Sequence, residues 1–386
     1  MSDIKKIALV LDTFSVGGIE SVAFDYITLL SRKGYEIDVY VLDPSQVAMV
    51  NKLPLNVSTH TFSFNRKLCP ELYSYGVMNW WWGKYVYPLI HPVLMAMLKL
   101  RKLFTKIKTY DVAIAFSGHI NDLTFVVEGF VKAKQKICWC HGTLLSYLAI
   151  CDGYPKLYKK IDKFVTLSEQ GLSNVYAGHR YLYDKTIMNI YNPVLIKDKK
   201  LNNKHVEELK TKYGKYVLMV ARMTYQKDHL TAIKAIELLH DRGVDIKIVF
   251  LGDGEKLGEY KKFVADHNLT ELCHFEGNRT DVNDYIAGSH VNLLASRFEG
   301  LPTVMIEAMA FEKPCIMTNS DGGEVTAFGK YGFLTPLGDF QAIAEAIQLL
   351  YQNEEVYEHY SKLSKERFKD FDPENIIRQL EMLLSK

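Results

Sequence analysis

The chain has 386 residues, of which 48% are hydrophobic and 24% charged, and its formal net charge is +2. That length allows two domains with a core each, and the composition excludes a disordered chain. No apolar run reaches the roughly eighteen uncharged residues of a membrane-spanning helix. Residues 1–6 lead directly into a predicted strand instead of a signal peptide, so we expect a cytoplasmic protein.

The six cysteines show no disulfide framework, as expected in a reducing compartment. Cys138, Cys140 and His141 lie close together, but the cysteines lack the usual two-residue gap of a zinc site and no second pair of ligands follows. Buried thiols in a strand are the commoner case. We expect no metal ion and no nucleic-acid partner.

The first predicted elements are a strand at 6–11, a helix at 19–32 and a strand at 36–42. This βαβ unit predicts a parallel sheet flanked by helices, in which ligands bind at the carboxyl ends of the strands. Gly17 and Gly18 fall where the first strand passes to the first helix. A glycine pair there can expose amides to an anion, and a tight turn chosen for backbone reasons explains it equally well.

Residues 79–108 form the most distinctive segment. It begins with a tryptophan triplet at 80–82 and continues into a predicted helix at 93–108, whose apolar residues fall on one face. Tryptophans next to a basic amphipathic helix suit a membrane surface. The alternative is a helix packed on the sheet with a solvated basic face.

The charge of the surrounding region favours the membrane. Between Asp43 and Asp111 the sequence has nine lysines and arginines and a single acidic residue, Glu71. Such a local excess usually indicates an anionic partner, here an anionic membrane surface. The predicted lipid contacts are Trp80, Trp81, Trp82, Lys99, Arg101, Lys102 and Lys106.

Three more strands are predicted at 111–116, 136–140 and 163–167. His141 comes directly after the second of them, and His119, shortly after the first, is a weaker candidate. A lone histidine is more often structural, but a position at the carboxyl end of a parallel strand favours a function. The first predicted domain closes at residue 194.

The second half of the chain begins with a predicted strand at 216–221 and a helix at 229–241. Arg222 and Lys227 lie between them. An arginine fork and a lysine point charge beside a helix start are suited to neutralising a diphosphate. A basic loop on the surface is the alternative.

Two further strands, 246–251 and 273–277, lead towards Gly252 and Arg279. The glycines that begin at Gly252 are spaced one residue wider than the dinucleotide-binding fingerprint, which argues against a nicotinamide site. Phe340 onward and residues 373–384 are predicted amphipathic helices.

The stretch 296–307 reads SRFEGLPTVMIE and joins a short apolar strand to a predicted helix. It carries two carboxylates, Glu299 and Glu307, eight positions apart. Carboxylates that flank a phosphate site suit the hydroxyls of a nucleotide-sugar. From the spacing alone, an acidic turn before an ordinary helix is the better explanation.

The helix start in this stretch predicts a phosphate site. Pro302 suits the first helical position, so the amides of Thr303 and Val304 should point out of the helix, where the dipole favours an anion. Gly300 would let a ligand approach the backbone closely.

The residues around the two glutamates resemble the signature of the family-4 retaining glycosyltransferases of GT-B fold. The frame Ser-x-x-Glu-Gly-x-Pro-x-x-x-x-Glu-Ala-Met-Ala is present in full from Ser296. The resemblance implies that Glu299 faces the donor sugar and that Glu307 binds the nucleotide ribose. It also implies that Arg279 contacts the base.

Further matches to this family are spread along the chain. Residues 17–20 match its Gly-Gly-x-Glu loop, which faces the donor phosphates and the acceptor. His141 matches a histidine that contacts the donor sugar and the reaction centre. Arg222 and Lys227 match the spacing of its Gly-Arg-x-x-x-x-Lys-Gly, although Asp228 replaces the final glycine.

The resemblance implies an α/β protein of GT-B fold, with two Rossmann-like domains facing across a cleft at 1–194 and 195–370. A C-terminal helix, 371–386, would return to the first domain. The expected reaction moves a hexosyl or N-acetylhexosaminyl group from a nucleotide-sugar, most simply a UDP-sugar, to an acceptor hydroxyl. It would proceed with retention and without a metal ion or cofactor.

Relatives that build bacterial capsule and other surface polysaccharides suggest a lipid-linked glycan acceptor. Together with the basic segment, this predicts peripheral association with the inner face of the cell membrane. Catalysis is assigned to Glu299, His141, Arg222 and Lys227. Donor binding is assigned to Gly17, Gly18, Arg222, Lys227, Gly252, Arg279, Glu299, Gly300, Leu301, Thr303, Val304 and Glu307.

Two other functions stay open. A non-catalytic, glycosyltransferase-like scaffold subunit would share the fold, although the retained Glu299, Glu307 and Arg222 argue against it. An NAD-dependent oxidoreductase would share the α/β layout and would bind a nicotinamide cofactor.

Overall fold

The computed structural model describes residues 6–15, 17–74, 81–141, 147–148, 151–167, 182–195 and 201–385. The chain divides into two compact units. Unit 1 comprises Met1–Pro193 together with Pro373–Lys386, and unit 2 comprises Val194–Asp372.

Unit 1 is built on a seven-stranded sheet whose strand pairs are all parallel. The strands are β1 Lys6–Leu11, β2 Glu36–Val41, β3 Val57–Thr61, β4 Thr109–Ala115, β5 Lys132–Cys140, β6 Lys163–Thr166 and β7 Thr186–Asn189. The helices that precede unit 2 are α1 Gly18–Arg32, α2 Gly83–Leu103, α3 Ile120–Val127 and α4 Tyr154–Tyr158. The sheet order is β3-β2-β1-β4-β5-β6-β7. Strands β1 to β3 follow one another towards one edge of the sheet and β4 to β7 towards the other, so the strand order reverses between β1 and β4.

The core of unit 1 is aromatic on both sides of this sheet. Tyr26 of α1 packs its ring 4.6 Å from Trp139 of β5, and Phe116 stacks on the same indole at 5.0 Å. On the other side, Phe125 of α3 stacks on Phe130 at 5.1 Å. Because helices cover both faces, the central strands are buried along nearly their whole length, as parallel sheets require.

Unit 2 contains a six-stranded sheet, again with parallel pairs throughout. Its strands are β8 Tyr216–Val220, β9 Lys247–Leu251, β10 Cys273–Gly277, β11 Val291–Leu294, β12 Cys315–Thr318 and β13 Phe333–Thr335. Its helices are α5 Asn203–Tyr213, α6 His229–Asp241, α7 Leu257–Asp266, α8 Val282–Gly288, α9 Thr303–Ala310, α10 Phe340–Gln352 and α11 Glu354–Phe368. The order β10-β9-β8-β11-β12-β13 repeats the reversal of unit 1, here between β8 and β11.

The last helix, α12 (Pro373–Ser385), belongs to unit 1 although it follows unit 2 in the chain. Five of its apolar residues, among them Ile377 and Leu380, are fully buried. The Nζ of Lys33 lies 3.0 Å from Glu374, and the Nζ of Lys163 donates to the carbonyl of Leu383 at 2.6 Å. The α/β fold with two Rossmann-like parallel sheets and a returning C-terminal helix is as predicted.

The largest error of the sequence analysis in this region concerns α2. A helix was predicted to begin after the prolines, at 93, and to continue to 108, whereas α2 begins at Gly83, runs through Pro88 and Pro92 and ends at Leu103. The two prolines are four residues apart, so they interrupt the backbone hydrogen bonds on one side of the helix only. Both side chains are exposed, where the ring meets no neighbouring element. Within the described ranges, none of the helices has the length and apolar character that crossing a bilayer requires.

Candidate active site

The site in unit 2 lies where β8 and β11 end side by side. The order of the strands reverses between these two, and in open parallel sheets ligands bind in the crevice at the carboxyl ends of such strands. The loop after β8 carries Arg222 and Lys227, and the loop after β11 carries Glu299. The topology therefore brings together the two halves of the predicted donor site.

Backbone and side-chain hydrogen bonds join these two loops. The amide of Arg297 donates to the carbonyl of Gln226 at 2.8 Å, and the Nε2 of Gln226 donates to the carbonyl of Phe298 at 3.0 Å. Each loop thus fixes the backbone of the other next to the residues that carry charge. A site held in this way is oriented before a ligand arrives, which limits the entropy lost on binding.

Lys227 and Glu299 form a salt bridge and a short hydrogen bond between Nζ and Oε1. Only 17% of the lysine side chain and 9% of the glutamate side chain are exposed. Arg222, at the end of β8, is exposed instead. The two predicted cations therefore differ. Lys227 is paired with Glu299, the residue predicted to face the sugar, whereas Arg222 faces solvent.

A second ion pair connects the same loops. The Nη2 of Arg297 lies 2.9 Å from the Oδ2 of Asp228, and its guanidinium covers the ring of Tyr225 at 4.5 Å. Asp228 adopts the left-handed backbone conformation, with φ at 47°. Aspartate tolerates this conformation better than most residues do. The replacement of a glycine by Asp228 is therefore accommodated, and it gives Arg297 a partner.

A pocket of about 570 Å³ opens beside the loops, within the range of small-molecule sites. It is lined by Val220, Thr280, Asp281, Val282, Asn283, Asp284, Val304 and Glu307. Glu307 and the start of α9 thus share one cavity with the loop before α8. Arg279 does not line it, since both its Nε and its Nη2 donate to the carboxylate of Asp281, at 2.9 and 2.6 Å.

The start of α9 differs from the prediction by one residue. Pro302 is the residue before the helix, with ψ at 102°, and Thr303 is the first helical residue. The amide of Met305 makes the first backward bond, to the carbonyl of Pro302 at 3.1 Å. The amides of Thr303 and Val304 precede this bond, which is the position of orphan donors at a helix start. Of the preceding pair, Leu301 is buried and Gly300 half-buried.

Two glycines are required by close contacts of the backbone. At Gly252, φ is +130° and an added Cβ would lie 2.2 Å from the carbonyl oxygen of Ala221. At Gly322, a Cβ would lie 2.7 Å from the Cβ of Glu299. Gly252 therefore allows the loops after β8 and β9 to touch, and Gly322 allows the chain after β12 to pass Glu299.

Two buried hydroxyl groups lie near these loops. The Oγ atoms of Ser296 and Ser320 have no hydrogen-bond partner within the described residues. Ser296 directly follows the strand end that leads to Glu299. A buried hydroxyl without a hydrogen-bond partner is unfavourable, so a polar ligand or a water molecule that bonds to either group would stabilise it.

Unit 1 has a second polar cluster at its own reversal point, between the ends of β1 and β4. The Nδ1 of His119 lies 3.0 Å from the Oδ2 of Asp12, and the amide of Asp12 donates to the Oγ of Ser117 at 3.0 Å. Burial lowers the pKa of His119, but the hydrogen bond and charge of Asp12, with Asp122 behind it, outweigh burial and leave the pKa raised. The sequence analysis named His119 only as a weaker candidate and gave Asp12 no role.

His141 follows β5 at the same edge of the unit 1 sheet. Its Nε2 lies 2.7 Å from the carbonyl of Phe116, so this nitrogen carries the proton and Nδ1 is an acceptor. Burial lowers the pKa of His141 to about 4, which keeps the ring neutral at physiological pH. At the start of α1, Gly17 leaves room for the Glu20 carboxylate, which accepts a hydrogen bond of 2.5 Å from Thr13.

Comparison with known proteins finds relatives along nearly the whole chain. The model of the family "Glycosyl transferases group 1" matches residues 201–367. The amylovoran biosynthesis glycosyltransferase AmsD of Erwinia amylovora is 23% identical over 392 residues, covering 98% of this chain and 99% of that protein. Residues 201–367 therefore match the group 1 glycosyltransferases, and the fold is of the GT-B type.

A further relative of the chain is the N-acetylgalactosamine-N,N'-diacetylbacillosaminyl-diphospho-undecaprenol 4-alpha-N-acetylgalactosaminyltransferase of Campylobacter jejuni. It is 25% identical over 224 residues, which cover 58% of this chain and 60% of that protein. Among solved structures, Anabaena HepE in complex with UDP and glucose has a TM-score of 0.74 at 18% identity, covering 99% of this chain and all of HepE. This likeness shows the fold.

The structure divides the predicted lipid contacts of the protein into two groups. Trp81, Lys99 and Lys106 are exposed and Trp82 is half-buried. Arg101 and Lys102 instead turn towards the body of unit 1, where Arg101 donates to the carbonyl of Ser63 and Lys102 to that of Glu128 at 2.8 Å. Trp80 lies outside the described residues.

The ion pairs that the sequence analysis missed share one property. Asp12 with His119, and Asp228 with Arg297, are pairs whose members are distant in sequence. The sequence signal for them is position, since each residue lies in a loop that follows a strand end at a reversal point. Among the described residues, each unit thus has a polar cluster at its reversal point, as expected for parallel sheets of this kind.

Proposed function

We propose that the protein is a retaining, metal-independent transferase that moves a sugar from a UDP-sugar to a lipid-linked glycan. The acceptor would lie at the inner face of the cell membrane, during synthesis of a surface polysaccharide. The observation that carries the proposal is the pocket of unit 2, which joins Glu307 and Val304 at the reversal point of the sheet.

The donor is assigned to unit 2 by the chemistry of its groups. A carboxylate in the pocket suits the hydroxyls of a ribose, and the helix start at Val304 suits a phosphate. Arg222 and Lys227 supply positive charge at the adjoining loop. HepE, which shares the fold, is known in complex with UDP and glucose, and this supports a uridine nucleotide.

The Lys227–Glu299 pair suggests how the site responds to the donor. When the diphosphate enters, its charge competes for Lys227, and the carboxylate of Glu299 becomes available to the hydroxyls of the sugar. Breaking the glycosidic bond adds negative charge to the departing diphosphate. Arg222, Lys227 and the amides of Thr303 and Val304 would then bind the transition state more strongly than the donor, which accelerates the reaction.

The acceptor is inferred from the relatives and from charge. The Campylobacter relative acts, by its name, on a diphospho-undecaprenol-linked sugar, and AmsD serves amylovoran biosynthesis. A lipid-linked glycan of this kind presents its hydroxyl next to a bilayer. The basic region between Asp43 and Asp111 would hold the enzyme at that surface.

The donor is tested by thermal melting against UDP-, GDP-, ADP- and dTDP-sugars, with NAD as a further ligand. A ligand at about 100 times its Kd stabilises by about 2.7 kcal/mol. We expect a shift with the UDP-sugar, and its loss in Glu307→Ala and Arg222→Ala. Glu345→Ala, an exposed carboxylate variant on α10, should keep the shift.

Three results would contradict the proposal in different ways. A shift with another nucleotide alone would replace the uridine assignment. A shift that persists in both site variants would move the donor away from this pocket. No shift with any nucleotide-sugar would favour the scaffold subunit, and a shift with NAD alone would favour an oxidoreductase.

A further inference from the structure

Helix α2 exposes an apolar surface that runs along its whole length. The outer face of α2, as we use the term, consists of Tyr85, Leu89, Val93, Met97, Leu100 and Leu103 of the helix and of Trp81 and Phe104, which flank it, and each of these side chains is 48% exposed or more. At 3.6 residues per turn the six helical positions fall within an arc of about 120°. Isolated exposed apolar residues are ordinary, but an aligned series of this length indicates a binding surface.

The opposite side of α2 is attached to unit 1 by specific contacts. Leu98 is 2% exposed and lies in the core, and the guanidinium of Arg101 covers the rings of Phe62 and Phe64 at 4.9 and 5.7 Å. Near the middle of the helix, the Nε2 of His91 lies 3.1 Å from the Oε1 of Glu71. These contacts fix the rotation of α2 about its own axis, so the outer face is held away from unit 1.

The charge next to the outer face is positive. Lys99 is exposed and, on a helical projection, lies about 40° from the edge of the apolar arc. Lys106 is exposed three residues after the end of α2. The single acidic residue of the region, Glu71, is buried and also accepts hydrogen bonds or ion pairs from Tyr87 at 2.8 Å and Lys156 at 3.2 Å. The outer face therefore presents apolar side chains and positive charge, with no described acidic side chain from residues 44–110 exposed beside it.

We propose that α2 docks the glycosyltransferase on an anionic lipid bilayer, lying in the plane of the interface with its outer face among the acyl chains. Lys99 and Lys106 then meet the lipid phosphates, while Arg101 and Lys102 hold the helix to the protein. Apolar burial combined with attraction to anionic headgroups is the binding mode of interfacial helices. This docking rests on the proposed function only in the location of its acceptor.

The test uses flotation of the full chain with vesicles of phosphatidylcholine alone or with 30% phosphatidylglycerol. We expect binding to the anionic vesicles, and at least a ten-fold loss in the triple variant Leu89→Glu, Val93→Glu, Leu100→Glu. The matched control carries Leu55→Glu and Met382→Glu, two exposed apolar residues of unit 1 away from α2, and should bind like the wild type.

Charge variants separate the two groups of cations. Lys99→Gln and Lys106→Gln should each weaken binding to anionic vesicles about five-fold, since a lysine near the surface contributes about 1 kcal/mol. Arg101→Gln should lower the melting temperature instead, because its contacts to Phe62 and Phe64 are intramolecular. An Arg101→Gln effect on vesicle binding with no change in melting would overturn the assignment of roles.

Other outcomes show whether a bilayer or a second copy of the chain covers the outer face of α2. Absence of vesicle binding by the wild type, or equal binding by the triple variant, would refute the docking. A dimer of the wild type that the triple variant dissociates would assign the outer face to a second copy of the chain. The triple variant should keep the melting shift with UDP-sugar in vesicle-free solution, so loss of docking and loss of donor binding are distinguishable.

Discussion

The ammonium group of Lys227 pairs directly with the carboxylate of Glu299, across two loops that are 72 residues apart in the sequence. Sequence analysis gave these residues separate partners, a phosphate and a sugar. In the structure each is the partner of the other, and both are largely buried. The pair therefore contributes to the stability of unit 2 as well as to its proposed chemistry.

Removing one member of this pair should destabilise unit 2. Glu299→Gln or Lys227→Met leaves the other charge unpaired in a largely buried position, at a cost of about 1–3 kcal/mol. The double variant should cost less than the sum of the two. Urea unfolding of the wild type, the two single variants and the double variant measures the coupling free energy between Lys227 and Glu299.

A surface pair provides the comparison for this cycle. Lys210 and Glu207 lie 2.8 Å apart with 46% and 71% of their side chains exposed, and their coupling should be below about 0.5 kcal/mol. Equal coupling in both cycles would show that the Lys227–Glu299 pair is no more than a surface contact.

The backbone conformation of Asp228 predicts a difference between two substitutions. Asp228→Gly and Asp228→Ala both lose the ion pair with Arg297. Glycine adopts a φ of 47° freely, whereas alanine is strained there, so the alanine variant should be less stable by about 1 kcal/mol. Melting curves of the two variants test this, and alanine matching glycine would argue against the left-handed conformation.

The raised pKa of His119 predicts a dependence of stability on pH. A histidine whose folded pKa lies above its unfolded value of 6.5 stabilises fully below pH 6.5, and this contribution is lost as pH rises through the folded pKa. The stability difference between wild type and His119→Gln should therefore be largest below pH 6.5 and shrink at higher pH. Because 42% of the side chain is exposed, we expect less than about 1 kcal/mol.

Asp12→Asn is the control for this titration. It removes the carboxylate that raises the pKa of His119, so the pH dependence attributable to His119 should flatten. Urea unfolding between pH 5 and pH 9 gives both curves. A difference that grows with rising pH would have the wrong sign for the Asp12–His119 pair.

Two glycines of unit 2 should respond in opposite directions to alanine. Gly252→Ala places a Cβ 2.2 Å from a carbonyl oxygen in a conformation that alanine avoids, and should cost about 3 kcal/mol or more. Gly258→Ala adds a methyl group in open space within α7, and should stabilise by about 0.5–1 kcal/mol. The melting temperatures of both variants, compared with that of the wild type, test these two predictions. Tolerance of alanine at 252 would contradict the close approach of the two loops.

Most elements of the fold could be predicted because their signals are local. Strand β1, helix α6 and strand β10 have the predicted bounds, since buried apolar runs and helical periodicity mark them clearly. Strand β3, VSTHT, was missed because it lies at a sheet edge, is largely exposed and has no apolar run.

The site could be predicted in its residue types but not in its pairings. Arg222, Lys227 and Glu299 follow strand ends and Glu307 lies in the helix after them, and that is visible in the sequence. Which charge meets which depends on the distance between two loops, and this is set by the packing of β8 beside β11. For the same reason the sequence could not show that Arg101 turns inward while Leu100 turns outward.

Helix α12 also constrains how the protein is made. Unit 1 buries Ile377, Leu380 and Leu384 of this helix, yet these residues leave the ribosome only after all of unit 2 has been synthesised. During synthesis, unit 1 therefore keeps part of its apolar surface exposed until α12 is made, whereas unit 2 can fold before α12 is made. Chaperone demand during translation should fall on the N-terminal half of the chain and end when the last helix is released.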